Sequence, residues 1–118
     1  MRRRSLLLMS AFLAATAVRA APSPAERARI ERLIQFVEAQ KGIRFVRNGS
    51  AYSAKDAAKF LRGKFDKMGE HVSTAQQFID QIGSRSSTSG EPYLIRFADG
   101  REVSAAKFLG EELQRMDR

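Results

Sequence analysis

Apolar positions recur with helical spacing in four stretches of this chain and with strand spacing in two pairs of short runs. Ile30, Leu33, Ile34 and Val37 fall at i, i+3, i+4 and i+7, one buried helical stripe. Ser23-Pro24-Ala25-Glu26 stands before them, with a Ser N-cap, Pro at the first helical position and Glu placed to close a capping box. Gly42 ends that helix. Ser53 with Asp56 predicts a second helix, with Ala54, Ala57, Leu61, Phe65 and Met68 facing inward and Gly69 as its stop. Gly63 weakens its middle by about 1 kcal/mol relative to Ala. Ser73 with Gln76 predicts a shorter third helix carrying Ala75, Phe78, Ile79 and Ile82, closed by Gly83. Ser104 starts the last, with Leu109, Leu113 and Met116 inward.

Between these helices lie two hairpins. Ile43 to Arg47, then Asn48-Gly49, then Ser50 to Tyr52 is a strong hairpin signal, because both turn residues tolerate positive φ. A two-residue turn sets Phe45 opposite Tyr52 as an aromatic pair facing the core. The second hairpin runs from Tyr93 to Phe97, turns at Ala98-Asp99-Gly100 and returns through Arg101 to Val103. A three-residue turn with Gly100 as the bulge pairs Ile95 with Val103, whereas a two-residue turn would oppose Arg96 to Val103, so the bulge is expected.

Each hairpin runs into a Ser-capped helix, and both helices contain Ala-Ala-Lys-Phe-Leu, at residues 57–61 and 105–109. The order is α, ββα, α, ββα. One hairpin alone is marginal in water, and two joined into one sheet are not. The expected fold class is therefore α+β: one small domain over residues 21–118, a mainly antiparallel four-stranded sheet covered by helices.

The first 20 residues read differently. Met1-Arg2-Arg3-Arg4, an apolar run from Leu6 to Val18 and then Val18-Arg19-Ala20 have the form of a secretory signal peptide cleaved after Ala20. The run falls short of the roughly 20 apolar residues that span a bilayer, so no transmembrane anchor is expected after cleavage. The expected location is periplasmic or secreted. The leader also changes the charge argument. Of 21 Lys and Arg against 13 Asp and Glu, Arg2, Arg3, Arg4 and Arg19 lie within it, which leaves 17 against 13, a net +4 rather than +8. That modest charge suits weak attraction to anionic envelope surfaces, and with no interleaved exposed aromatics it argues against nucleic acid. The chain has no Cys, which removes disulfides, cysteine-based zinc sites and thiol nucleophiles.

Arg47-Asn48-Gly49-Ser50-Ala51-Tyr52-Ser53, followed by Leu61-Arg62 and Lys64, resembles the first half of the YfeK-like family. Thr74-Ala75-Gln76-Gln77-Phe78-Ile79, leading into Ser86-Ser87-Thr88-Ser89-Gly90-Glu91-Pro92-Tyr93, continues the likeness, which covers roughly Ile30 to Leu113. The resemblance implies a short exported protein of Gram-negative bacteria, a single domain and no assigned activity, so it supplies no catalytic residues. In that family Cys is frequent where Ile43 and Phe97 stand, and His where Phe60 stands. If those cysteines pair, the first strands of the two hairpins are neighbours, because a disulfide needs Cα atoms within about 7 Å. The side chains of Ile43 and Phe97 are then expected to touch, and truncating Phe97 to Ala to cost about 3–5 kcal/mol.

Candidate chemistry is sparse. His71 is the sole His and stands beside Glu70, without the further ligands a metal needs. Asp66 and Glu70 are interrupted by Gly69, and no nucleophile elbow or phosphate-binding loop occurs. No catalytic residue, metal or cofactor is assigned. Two stretches stand out as a binding surface: the hydroxyl-rich loop Ser84 to Gly90 with Arg85, Ser86, Ser87 and Ser89, and the basic helix with Lys55, Lys59, Arg62, Lys64 and Lys67. Arg62, Lys64, Arg85, Ser86, Ser87, Ser89 and Tyr93 are the expected ligand or partner residues. The charged members are expected on solvated faces, where substitution costs within about 0.5 kcal/mol. The reading is a non-enzymatic envelope binding or accessory module whose partner is an envelope protein or anionic polymer. Its alternative is an enzyme of unrecognised type, such as a hydrolase of envelope polymers built around His71 or around Asp66, Glu70 and Asp80.

Overall fold

The computed structural model describes residues 21–118; the expected leader and its cleavage site after Ala20 lie outside the described residues. Helix α1 (Pro24–Ala39) begins at Ser23, whose hydroxyl accepts the Glu26 N–H at 3.1 Å, and buries Ile30, Leu33, Ile34 and Val37 as the spacing predicts. Glu26 does not close the box. Its carboxylate bonds Arg29 and, across the fold, accepts the Ala75 N–H at 2.8 Å. The α1 start thereby neutralises an unpaired donor in the first turn of another helix.

Strands β1 (Arg44–Arg47) and β2 (Ser50–Tyr52) form the first hairpin with Phe45 opposite Tyr52. Asn48 and Gly49 have φ of 49° and 83°, the left-handed pair that a two-residue turn needs. Strands β3 (Leu94–Arg96) and β4 (Glu102–Ser104) pair Ile95 with Val103. Their three-residue loop closes through Phe97 N–H to Arg101 C=O and Gly100 N–H to Phe97 C=O, with Gly100 at φ 91°. The hairpins join through β1 and β3, antiparallel, in the order β2-β1-β3-β4. Arg44 opposes Arg96 and Phe45 opposes Ile95. One step further along this register Ile43 faces Phe97, on the same side as Phe45 and Ile95. Ile43 is buried, but Phe97 is only half-buried at the edge of the core. A truncation there costs less than the full burial value expected from the sequence.

Helix α2 (Ala54–Met68) and helix α4 (Ala105–Met116) follow the hairpins, capped by Ser53 and Ser104. The third helix differs from its expected start: Thr74, not Ser73, is the N-cap, and its hydroxyl accepts the Gln77 N–H. This α3 (Ala75–Phe78) widens into a π turn over Ile79–Gly83. A Cβ on Gly83 would meet Leu109 at 2.9 Å, so the glycine lets α3 and α4 approach closely. All four helices lie on the Phe45–Ile95 side of the sheet and share one core with it, centred on Leu33, Phe45, Leu61, Phe78, Tyr93, Ile95 and Leu109. No described helix is long and apolar enough to cross a membrane.

Candidate functional site

Lys64 departs most from expectation. The sequence pattern predicts it on a solvated basic face, and it is instead 9% exposed. Its ammonium donates to the carbonyls of Ile82 and Arg85 and to the Tyr93 hydroxyl, at 3.0, 2.9 and 3.0 Å. No carboxylate pairs with it among the described residues. Burial, followed by the nearby Arg47 charge, pushes it below the usual lysine range. Burial likewise raises the Tyr93 phenol. Lys64 therefore ties the end of α3 to the start of the Ser-rich loop and to β3, and truncating it would leave those acceptors unpaired. The signal was present in the sequence: Ala57, Leu61, Lys64 and Met68 stand at i, i+4, i+7 and i+11, on the apolar stripe of α2.

The Ser-rich loop is built rather than loose. Ser86, 4% exposed, accepts from the backbone N–H groups of Thr88 and Ser89 and from the Asn48 side chain. Ser89 donates to Asn48 Oδ1 at 2.6 Å and accepts the Glu91 N–H. Asn48 is the turn residue of the first hairpin, so its side chain fastens the loop to that turn. Four of the loop's hydroxyls, those of Ser84, Ser86, Thr88 and Ser89, thus serve internal bonds. Ser87 is exposed and contacts the Met68 sulfur at 3.9 Å, and Arg85 is exposed with its carbonyl on Lys64. Arg62 lies elsewhere, bound to Glu31 and Glu38 of α1. Of the seven expected residues, Lys64, Ser86, Ser89 and Tyr93 are brought together as one buried or internally bonded cluster; Arg62 is not part of it.

A groove opens between the β1–β2 hairpin and α2, lined by Phe45, Arg47, Tyr52, Asp56, Ala57, Lys59 and Phe60 and enclosing about 310 Å³. Phe45, Phe60 and Tyr93 form an aromatic cluster, with Phe45 5.0 Å from Tyr93 and Phe60 edge-on to Tyr93 at 5.8 Å. Phe45 thus finds its ring partners there, while Tyr52, its register partner, stays half-buried beside Arg47. The Arg47 guanidinium lies 4.6 Å from the Phe60 ring centre and 5.5 Å from that of Tyr52. Lys64 lies 5.9 Å from the same Phe60 ring, so two cations share one aromatic side chain. A second depression of about 480 Å³, lined by Glu38, Lys55, Asp56, Lys59 and Arg62, meets the first at Asp56 and Lys59. Together they make a trough along α2. Arg47 and Phe60 were not assigned to the binding surface, although Arg47 shares the inward parity of Phe45 on β1.

His71 is exposed and lies 4.0 Å from Glu70. Asp66, Glu70 and Asp80 are exposed, and Asp80 accepts from Gln76. None of the four lines either depression. Among the described residues no three His, Cys, Asp or Glu cluster as metal ligands.

The model of the family of unknown function DUF5329 matches residues 24–117, and the chain belongs to that family. "Uncharacterized protein YfeK" of Salmonella typhimurium is 40% identical over 68 residues, 58% of this chain. The match spans 57% of that relative, little more than half its length. No solved structure matches.

Proposed function

We propose that this member of the DUF5329 family is an exported, non-enzymatic module of the bacterial envelope that captures an acidic partner in the trough along α2. One observation carries the reading: an apolar floor of Phe45, Ala57 and Phe60 meets cations that make no ion pair with Asp56, the acidic residue lining the groove beside them. Lys55, Lys59 and Arg47 have no ion-pair partner among the described residues, whereas Arg62 at the far end is paired. Unpaired cations around an apolar groove attract anionic segments and raise their encounter rate. The hydroxyl loop supports this indirectly. Ser86, Ser89 and the Lys64–Tyr93 bond brace the hairpin that forms one wall.

Crosslinking and pull-down from the protein's own envelope fraction tests the reading. Capture by the native chain and its loss with Arg47→Gln plus Lys59→Glu support the trough as the site. Undiminished capture by a folded double variant moves the site elsewhere. Export has its own measurement: the intact mass of the exported protein is expected to begin at Ala21, and a product retaining Met1 to Ala20 overturns the periplasmic assignment.

A further inference from the structure

Arg47 is held in an unusual way for a half-buried cation. Its guanidinium carbon lies over the Phe60 and Tyr52 rings, 4.6 and 5.5 Å from their centres, yet no carboxylate or carbonyl takes its N–H groups among the described residues. Stacking uses the π surface of a guanidinium and leaves its in-plane donors free for a two-point bond to a carboxylate. A charge removed from water without a counter-ion is unfavourable, and a second like charge nearby makes it more so. Lys64 is that second charge. It is buried, lies against the same Phe60 ring and has only neutral acceptors. Lys64 does not line the groove and keeps its internal acceptors, so it is Arg47 that lacks a negative group there.

The groove also limits what that group is attached to. Its walls are mainly Phe45, Ala57, Phe60 and the Tyr52 ring, and its volume of about 310 Å³ lies at the small end of ligand pockets, about 300–1,000 Å³. One apolar side chain fits against these walls. Asp56 at the rim has no ion-pair partner among the described residues. Its charge disfavours a dianion such as a phosphate monoester more than a single carboxylate.

We propose that the groove binds a carboxylate carried on one apolar group, with the carboxylate on the Arg47 guanidinium and the apolar part on Phe45, Ala57 and Phe60. The inference rests on the trough as capture site and names the chemistry it selects. Such a group occurs at the C-terminus of a peptide ending in an apolar residue or in a free acylated amino acid.

The test compares N-acetyl-phenylalanine with its amide, which differ at the carboxylate alone, and adds an acetylated tetrapeptide ending in Phe. Binding is read from the amide NMR signals of Tyr52, Ala57 and Phe60 and from the Arg47 side-chain N–H. The acid is expected to bind at least tenfold more tightly than the amide, with the Arg47 signal shifting on saturation. Arg47→Gln removes that preference, and Lys107→Gln on α4 leaves it intact. Tighter binding of the tetrapeptide than of the single residue assigns the carboxylate to a chain terminus, and equal binding to a free acid; both support the inference. Acid and amide binding equally in the native protein overturns it while leaving the trough as a capture site. No shift at Tyr52, Ala57 or Phe60 with any probe also overturns it, and the pull-down with trough variants then decides the broader reading by itself.

Discussion

The two ββα units use the same words to different ends. Both helices carry Ala-Ala-Lys-Phe-Leu, but α4 begins it directly after its Ser104 cap, whereas α2 begins it about one turn deeper, four residues after Ser53. In the second unit the phrase is closed on itself. Phe108 packs on Phe36 and Phe97, at 5.2 and 6.2 Å, and Lys107 pairs with Glu111. In the first unit Phe60 meets Phe45 and Tyr93 but leaves a groove at its side, and Lys59 faces solvent without an ion-pair partner among the described residues. The position three residues past the motif sharpens the contrast. It is buried in both units, as Lys64 in α2 and Glu112 in α4. Glu112 has Arg115 as its counter-charge, while Lys64 has two carbonyls and a phenol. One unit is electrically balanced and filled; the other is open and short of a negative charge. A shared local motif therefore builds helices without deciding which becomes a binding wall.

Substitutions can break this contrast, beginning with the largest effect. Phe45→Ala empties the centre of the aromatic cluster and is expected to cost about 3–5 kcal/mol in chemical denaturation. Phe97→Ala, at the half-buried edge of the closed unit, is expected to cost about half of that. Equal losses would show that both units are equally filled.

Lys64→Ala removes three hydrogen bonds and leaves a void, with an expected loss of roughly 2–4 kcal/mol. The removal of Lys64 should also change the alkaline stability profile. Its native pKa is lowered, so between that value and the ordinary 10.5 the unfolded chain binds the extra proton. Native stability then rises with pH through that window, and the gain is complete above it. Comparing native and Lys64→Met proteins by thermal unfolding across alkaline pH isolates the rise. A parallel profile in both would mean that Lys64 is not desolvated.

A smaller effect of opposite pH sense is expected at Glu26. The Ala75 N–H, followed by Arg29, holds its carboxyl below the ordinary 4.5 against a desolvation cost. Its contribution is complete above that value and is lost as pH falls through the lowered native pKa. Glu26→Gln is expected to cost about 1 kcal/mol near neutrality and to converge with the native protein in acid. The mildest pair concerns the two motif lysines. Lys59→Ala and Lys107→Ala should each change stability by no more than about 0.5 kcal/mol. Partner capture should fall with Lys59→Ala alone; equal falls would erase the functional difference between the units.

Much of this architecture is local and could be read from the chain. Ser23, Ser53 and Ser104 cap their helices, Asn48-Gly49 sets the register of the first hairpin, and Gly100 supplies the bulge of the second. Each depends on interactions within a few residues, so sequence pattern determines it. The α+β class followed from adding those elements together, and the β1–β3 junction from what the family resemblance implied for the positions of Ile43 and Phe97. The fate of individual charges did not, with Lys64 as the clearest case. Its stripe position marked an inward direction, but only the carbonyls of Ile82 and Arg85 and the Tyr93 hydroxyl, brought from distant segments, make burial of an ammonium tolerable. Glu26 left its expected box because the Ala75 N–H arrives from a helix far along the chain. Arg47 gains its place over Phe60 only when α2 folds onto the hairpin. Desolvation and Coulomb energy depend on everything within several ångströms in space, and that neighbourhood does not exist until the tertiary fold has closed.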